Sequence, residues 1–198
     1  MDGTVAGLWR YPVAGMLGEE LDAVVLEGTG PLGDDAFVVV PADADPHDPG
    51  PDGAGNALLD FRATCAAEPE PGAPLPPVDV LFPDGSTLRT DDDRVHAALS
   101  GVLGREVRVE ARPPGQGTTA LRLMTAAARE RSTAEADDPR RARPHVVVSP
   151  ALDDAVADAG SLLALGATVR VEVGTTGDDV PVALVAAGEV RVGDVVSG

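Results

Sequence analysis

The sequence predicts a mostly β fold of the α+β class, with an N-terminal β-subdomain over residues 1–90 and a β-barrel-like core over 91–198 carrying two or three helices. Three observations point there. Short apolar runs recur along most of the chain, each closed by Gly or Pro, which is the punctuation of short strands and tight turns. Helical periodicity rises in only a few places, chiefly 91–104 and 119–131. Hydrophobic residues make up 43% of the 198 positions, enough for a true core at this length.

Taken in order, Val5–Tyr11, Ala23–Leu26 and Ala36–Val40 read as strands. Pro41–Gly55 carries four Pro, four Asp and three Gly and reads as an exposed loop. Leu58–Cys65 resumes a strand pattern, Ala66–Pro77 is a Pro-rich connection, and Val78–Phe82 runs into the turn Pro83-Asp84-Gly85-Ser86. Asp91-Asp92-Asp93 then offers N-cap and first-turn negative charge to a helix with an apolar face of Val95, Leu99, Val102 and Leu103, stopped by Gly104. Val107 and Val109 flank Arg108 as a strand, and Pro113-Pro114-Gly115 breaks it. A second helix is expected over Thr119–Arg131, with Leu123, Ala126 and Ala127 on one face, followed by a loop over Ser132–Arg141. His145–Val148 is a buried-type strand; Ala151–Ala159 fits a helix; Thr168–Val173, Val180–Ala186 and Glu189–Val196 close the chain as strands, with a turn at Gly188.

Charge and composition limit the function. Thirty-three acidic residues against fifteen basic ones give a net charge of −18, a field that repels polyanions and argues against nucleic acid and anionic membranes as partners. No apolar run approaches the roughly 20 residues of a membrane span, and no basic-then-apolar leader opens the chain, so a cytoplasmic protein is expected. All fifteen basic residues are Arg; the absence of Lys removes Schiff-base chemistry from the chain. The single Cys65 excludes an internal disulfide and any multi-thiolate metal cluster.

Motifs for common chemistries are missing. Asp43, Asp45, His47 and Asp48 imitate the start of a calcium loop, but the twelfth position from Asp43 is Ala54 rather than Glu. Three scattered His and one Cys do not make a zinc site. Gly28-Thr29-Gly30 lacks the third Gly of a dinucleotide fingerprint. Arg140, Arg141 and Arg143 with His145 form the densest cationic cluster of an acidic chain. It reads either as a site for a planar oxyanion or as surface pairs with Asp137 and Asp138. His145 itself fits a hydrogen-bonded core imidazole or a general base, and His96 beside the apolar stripe of its helix fits a structural role.

Three segments in order carry a family resemblance. The first runs from Leu8-Trp9-Arg10-Tyr11-Pro12-Val13 through Gly18-Glu19-Glu20-Leu21 to Gly30-Pro31-Leu32-Gly33-Asp34. The second is Leu121-Arg122-Leu123-Met124-Thr125 followed by Arg140-Arg141-Ala142-Arg143-Pro144-His145-Val146-Val147-Val148. The third is Gly188-Glu189-Val190-Arg191-Val192-Gly193-Asp194-Val195-Val196. Together they resemble the MOSC proteins, the family related to the C-terminal part of molybdenum cofactor sulfurases, which includes reductases of N-hydroxylated compounds.

The resemblance implies a barrel with an N-terminal β-subdomain and a cavity for a pterin phosphate held by cationic side chains. The departures are as informative. Ala14-Gly15 stands where the family has Lys-Ser, and Asp35 stands where it has a cavity-facing Arg. The stretch Val173–Val180, which corresponds to the family's cysteine segment, holds no Cys. A soft thiolate has no substitute here, so no cofactor is expected and molybdenum cofactor in particular is not. The expected function is that of a degenerate MOSC-like protein binding a small organic molecule in the former cofactor cavity, including a metal-free cyclase, isomerase or lyase of specialised metabolism. Asp35, His145 and Arg143 are then the candidate catalytic residues, Asp35 as the cavity-facing member of an Asp34-Asp35 pair in a strand. Tyr11, Thr125, Arg140 and Arg141 are the candidate ligand contacts, and of Trp9 and Tyr11 one packs while the other lines the cavity. A non-catalytic binding or assembly protein is the alternative, with retained family chemistry as a second; a homodimer is compatible with either.

Overall fold

The computed structural model describes residues 3–28, 30–44, 55–112, 121–135, 138, 142–149, 160–174 and 180–198. In chain order the first strands are β1 (Gly3–Arg10), β2 (Glu19–Leu21), β3 (Ala23–Glu27), β4 (Gly30–Pro31) and β5 (Phe37–Pro41). A 3-10 turn over Gly55–Asp60 precedes β6 (Arg62–Cys65), β7 (Val78–Leu81), β8 (Thr87–Arg89), helix α1 (Arg94–Leu103) and β9 (Val107–Ala111). Then follow β10 (Leu121–Thr125), helix α2 (Ala126–Glu135), β11 (Val146–Val148), β12 (Leu162–Leu165), β13 (Val169–Val173), β14 (Val180–Ala186), β15 (Gly188–Arg191) and β16 (Val195–Ser197). The chain is mostly β, as expected, and it forms two units. One comprises 1–10, 20–32 and 118–198, the other 11–19 and 33–117. The units therefore do not follow the expected division at residue 90, because β1 in the first ten residues pairs with β11 (Val146–Val148) and β16 (Val195–Ser197) near the other end of the sequence.

The first unit is a closed seven-stranded barrel. Its strands run β1, β11, β10, β14, β13, β12, β16 and back to β1, with β2 lying beyond β1. Closure depends on distant pairings: Val5 lies opposite Val148, and Gly3 opposite Val196. Alternation builds the interior. Val169, Val171 and Val173 of β13 point inward while Arg170 and Glu172 do not, the period-2 pattern of a half-buried strand. With Leu8, Leu121, Leu123, Val146 and Leu163 these side chains fill the barrel, each contributing about 1.5–3 kcal/mol of burial. The neighbouring sheet β15-β3-β4 adds Val24, Leu26 and Val190 to the same core.

Every strand pairing of the barrel is antiparallel except β10–β11. A parallel pair needs a crossover, and α2 lies within it. The helix expected from Thr119 thus begins later. Leu121–Thr125 is a strand, because β11 and β14 supply backbone partners on both of its sides, and that tertiary pairing overrides the local helical pattern. The helix then extends to Glu135, into the stretch expected as loop.

The second unit holds the pair β5–β9, the sheet β6-β7-β8 and α1. Its core gathers Val13, Met16, Val39, Leu58, Val80, Val95 and Leu99, with Phe61 and Phe82 edge to face at 5.3 Å. Leu58–Leu59 belong to the 3-10 turn rather than to the strand expected from Leu58. Helix α1 ends as its sequence demands, with Gly104 in the left-handed region at φ 67°. Val95 and Leu99 are buried, but Val102 in the last turn is 54% exposed. Two polar side chains of α1 dock β9. Ser100 Oγ accepts the Val107 N–H at 2.9 Å, and His96 Nδ1 accepts the Val109 N–H at 3.1 Å.

Candidate functional site

One end of the barrel collects cations. Strand β1 runs antiparallel to β11, and β11 runs parallel to β10, so the C-terminal end of β1 and the N-terminal ends of β10 and β11 meet. That brings Arg10, Arg122, Arg143 and His145 to one rim. The backbone ties them: the Trp9 N–H donates to His145 O, and the His145 N–H donates to Arg122 O, both at 2.9 Å. The Arg122 N–H in turn donates to His145 Nδ1 at 2.9 Å. A ring nitrogen that accepts carries no proton, so the neutral imidazole holds its hydrogen on Nε2.

Burial separates these groups from ordinary surface cations. Arg10 and His145 are each 1% exposed. Arg10 Nη1 donates to Leu32 O at 3.2 Å. Arg143 is half-buried; its Nε lies out of water with no acceptor, although the residue makes other polar interactions. Arg140 and Arg141 lie outside the described residues. Arg10 was not among the expected site residues, but its signal was legible: it stands two residues after Leu8, in phase with the inward face of the strand.

Asp35 and Tyr11 belong to the second unit. Asp34 and Asp35 sit in a turn rather than in the expected strand, and Asp35 adopts φ 53°, a left-handed conformation that Asp tolerates better than most residues. Only 6% of Asp35 is exposed. Its carboxylate pairs with Arg112 Nη1 at 2.8 Å, its N–H donates to Tyr11 O at 2.9 Å, and Asp34 Oδ1 accepts the Tyr11 N–H at 2.6 Å. The Asp35 carboxylate is thus matched by a cation from the end of β9. Arg112 is a residue that sequence reasoning missed, since its partner is 77 residues away. Tyr11 is buried.

Thr125 belongs to the barrel unit and has a local task. Its Oγ1 accepts the Ala128 N–H at 3.0 Å, the N-cap bond that satisfies an orphan donor in the first turn of α2. Trp9 is half-buried, with the Arg129 guanidinium 4.0 Å from its ring. Cys65 is a half-buried residue of β6 in the second unit, and the sequence supplies no other thiolate. Asp43 is described, while Asp45, His47 and Asp48 are not. Among the described residues no three His, Cys, Asp or Glu come together as a metal site, and no helix is long and apolar enough to cross a membrane.

No protein-family model and no curated protein matches the chain. Among solved structures it is similar to the YuaD protein from Bacillus subtilis, with a TM-score of 0.50 over 99% of this chain and 94% of that one, at 10% identity; at that identity the likeness is one of fold.

Proposed function

We propose that this protein is a MOSC-like barrel that binds a small organic anion at the rim formed by Arg10, Arg122, Arg143 and His145. The observation that carries the reading is the burial of Arg10, 1% exposed, at a barrel end shared with two more arginines, in a chain of net charge −18. A buried cation raises the potential around it at low dielectric, and a bound carboxylate or phosphate lowers it. Arginine forks also match such anions in shape.

Binding rather than acid–base chemistry is the core of this reading. His145 Nδ1 is taken by the Arg122 N–H, and the Asp35 carboxylate is held by Arg112. A cyclase-, isomerase- or lyase-type step at the rim would therefore fall to His145 through Nε2. The reading leaves out molybdenum cofactor, because the chain's one cysteine, Cys65, is not in the Val173–Val180 segment where the MOSC resemblance would place a thiolate for a soft metal centre.

Native mass spectrometry with elemental analysis tests this on protein purified from a molybdenum-replete host that makes the pterin cofactor. A co-purifying organic mass without molybdenum, lost in the Arg122→Gln/Arg143→Gln variant, is the expected result. Molybdenum near one equivalent would overturn the cofactor-free reading, and an organic mass retained by the variant would overturn the assigned site.

A further inference from the structure

The outer wall of the barrel carries a groove of about 500 Å³ that the function above does not use. One side of it is a single face of α2: Ala126, Arg129, Glu130, Thr133 and Ala134 follow the 3,1,3,1 spacing of one helical stripe. The other side is Ala6 and Val147 of the barrel wall. Its size falls within the roughly 300–1,000 Å³ of small-ligand sites.

Three features of the groove are built rather than incidental. The pairing of β1 with β11 slips between Val5 and Gly7, which leaves Ala6 as the extra residue of a bulge; bulges re-aim a side chain out of the regular alternation, and Ala6 is exposed on the groove floor. Next to it Gly7 has no Cβ, and a Cβ there would collide with Cη2 and Cζ3 of Trp9. The bare glycine backbone is what lets the indole lie flat against the strand. Arg129 then rests on that indole, 4.0 Å from the ring. The cation–π contact consumes none of the guanidinium's five N–H donors, and among the described residues no carboxylate or carbonyl takes a hydrogen bond from them. Glu130 beside it likewise has a carboxylate that is exposed and makes no bond to a described residue.

We propose that this groove binds a small zwitterion of the α-amino-acid type with an apolar side chain. Arg129, fixed on Trp9, receives the carboxylate as a bidentate fork. Glu130 receives the ammonium, and the small apolar surface of Ala6, Ala126, Ala134 and Val147 receives the side chain. The neighbouring opposite charges of Arg129 and Glu130 disfavour a simple anion and a simple cation alike, which is why a zwitterion is the matching class.

Trp9 is the chain's one tryptophan, so its fluorescence reports directly on the stack. L-Leucine, 4-methylvalerate and isobutylamine are titrated against the full-length protein by fluorescence and calorimetry. The expected result is a saturable change with L-leucine, about tenfold weaker or more in Arg129→Gln and in Glu130→Gln, with each half-ligand bound at least about tenfold more weakly than leucine. An Arg143→Gln variant should leave the signal unchanged, which separates this groove from the rim. No saturable change with leucine overturns the proposal, as does undiminished binding by Arg129→Gln or equal binding of 4-methylvalerate.

Discussion

The Arg112 guanidinium lies 2.8 Å from the Asp35 carboxylate, with 15% and 7% of the two side chains exposed. The pair joins two largely desolvated charges. Asp35→Asn keeps a residue that tolerates the left-handed backbone and removes only the charge that faces Arg112; a loss of about 3 kcal/mol is expected. Chemical unfolding of Asp35→Asn, Arg112→Gln and the double variant checks it. The double variant should recover a large part of the loss, because it removes both members of the pair together.

Thr125 caps α2 from inside the barrel unit. Thr125→Ala should cost about 1 kcal/mol, and Thr125→Ser should restore most of it, since only the hydroxyl is needed. Thermal unfolding of the three proteins decides between a capping role and a packing role for the methyl group.

Two glycines of α1 should respond with opposite signs. A Cβ at Gly101 or Gly104 would meet nothing within 4 Å, so only backbone preference differs between them. Gly101 lies within the helix, and Gly101→Ala should stabilise by about 0.5–1 kcal/mol. Gly104 ends the helix at φ 67° and ψ 22° with its N–H on Ser100 O, and Gly104→Ala should destabilise by about 1 kcal/mol. Equal effects in urea unfolding would refute the assignment of the helix stop.

The turn before α1 carries a pH dependence of definite sign. Hydrogen bonds from the Arg94 guanidinium and backbone N–H hold the Asp92 carboxyl at about 2, below its ordinary 3.8. A carboxyl depressed on folding contributes stability above its unfolded value and loses it as pH falls toward the folded one. The difference in melting temperature between wild type and Asp92→Asn should therefore hold at neutral pH and fade between about pH 4 and pH 2. An NMR titration of Asp92 should show a midpoint near 2.

Legibility in the sequence followed the range of the interaction. The strand at Val169–Val173 and the stop at Gly104 were both readable, because alternation and a left-handed cap are written within a few residues. At the rim, Arg143 and His145 stood out by local charge density, while Arg10 was passed over although its phase with Leu8 marks it as inward. Arg112 could not be found that way, and neither could the stack of Arg129 on Trp9. Their partners are brought close by closure of a sheet or docking of a helix, and no short window contains both members.

By itself the sequence determined that this protein is β-rich, acidic, free of lysine and limited to one thiol, and it marked many of the strands and the span of α1. Tertiary structure alone decided that the first ten residues belong with residues 118–198, that Leu121–Thr125 is a strand, and that Asp35 is buried in an ion pair. The physical reason is that backbone dihedral preference and hydrophobic period act locally, whereas pairing of Val5 with Val148 is selected by the core that forms when the barrel closes.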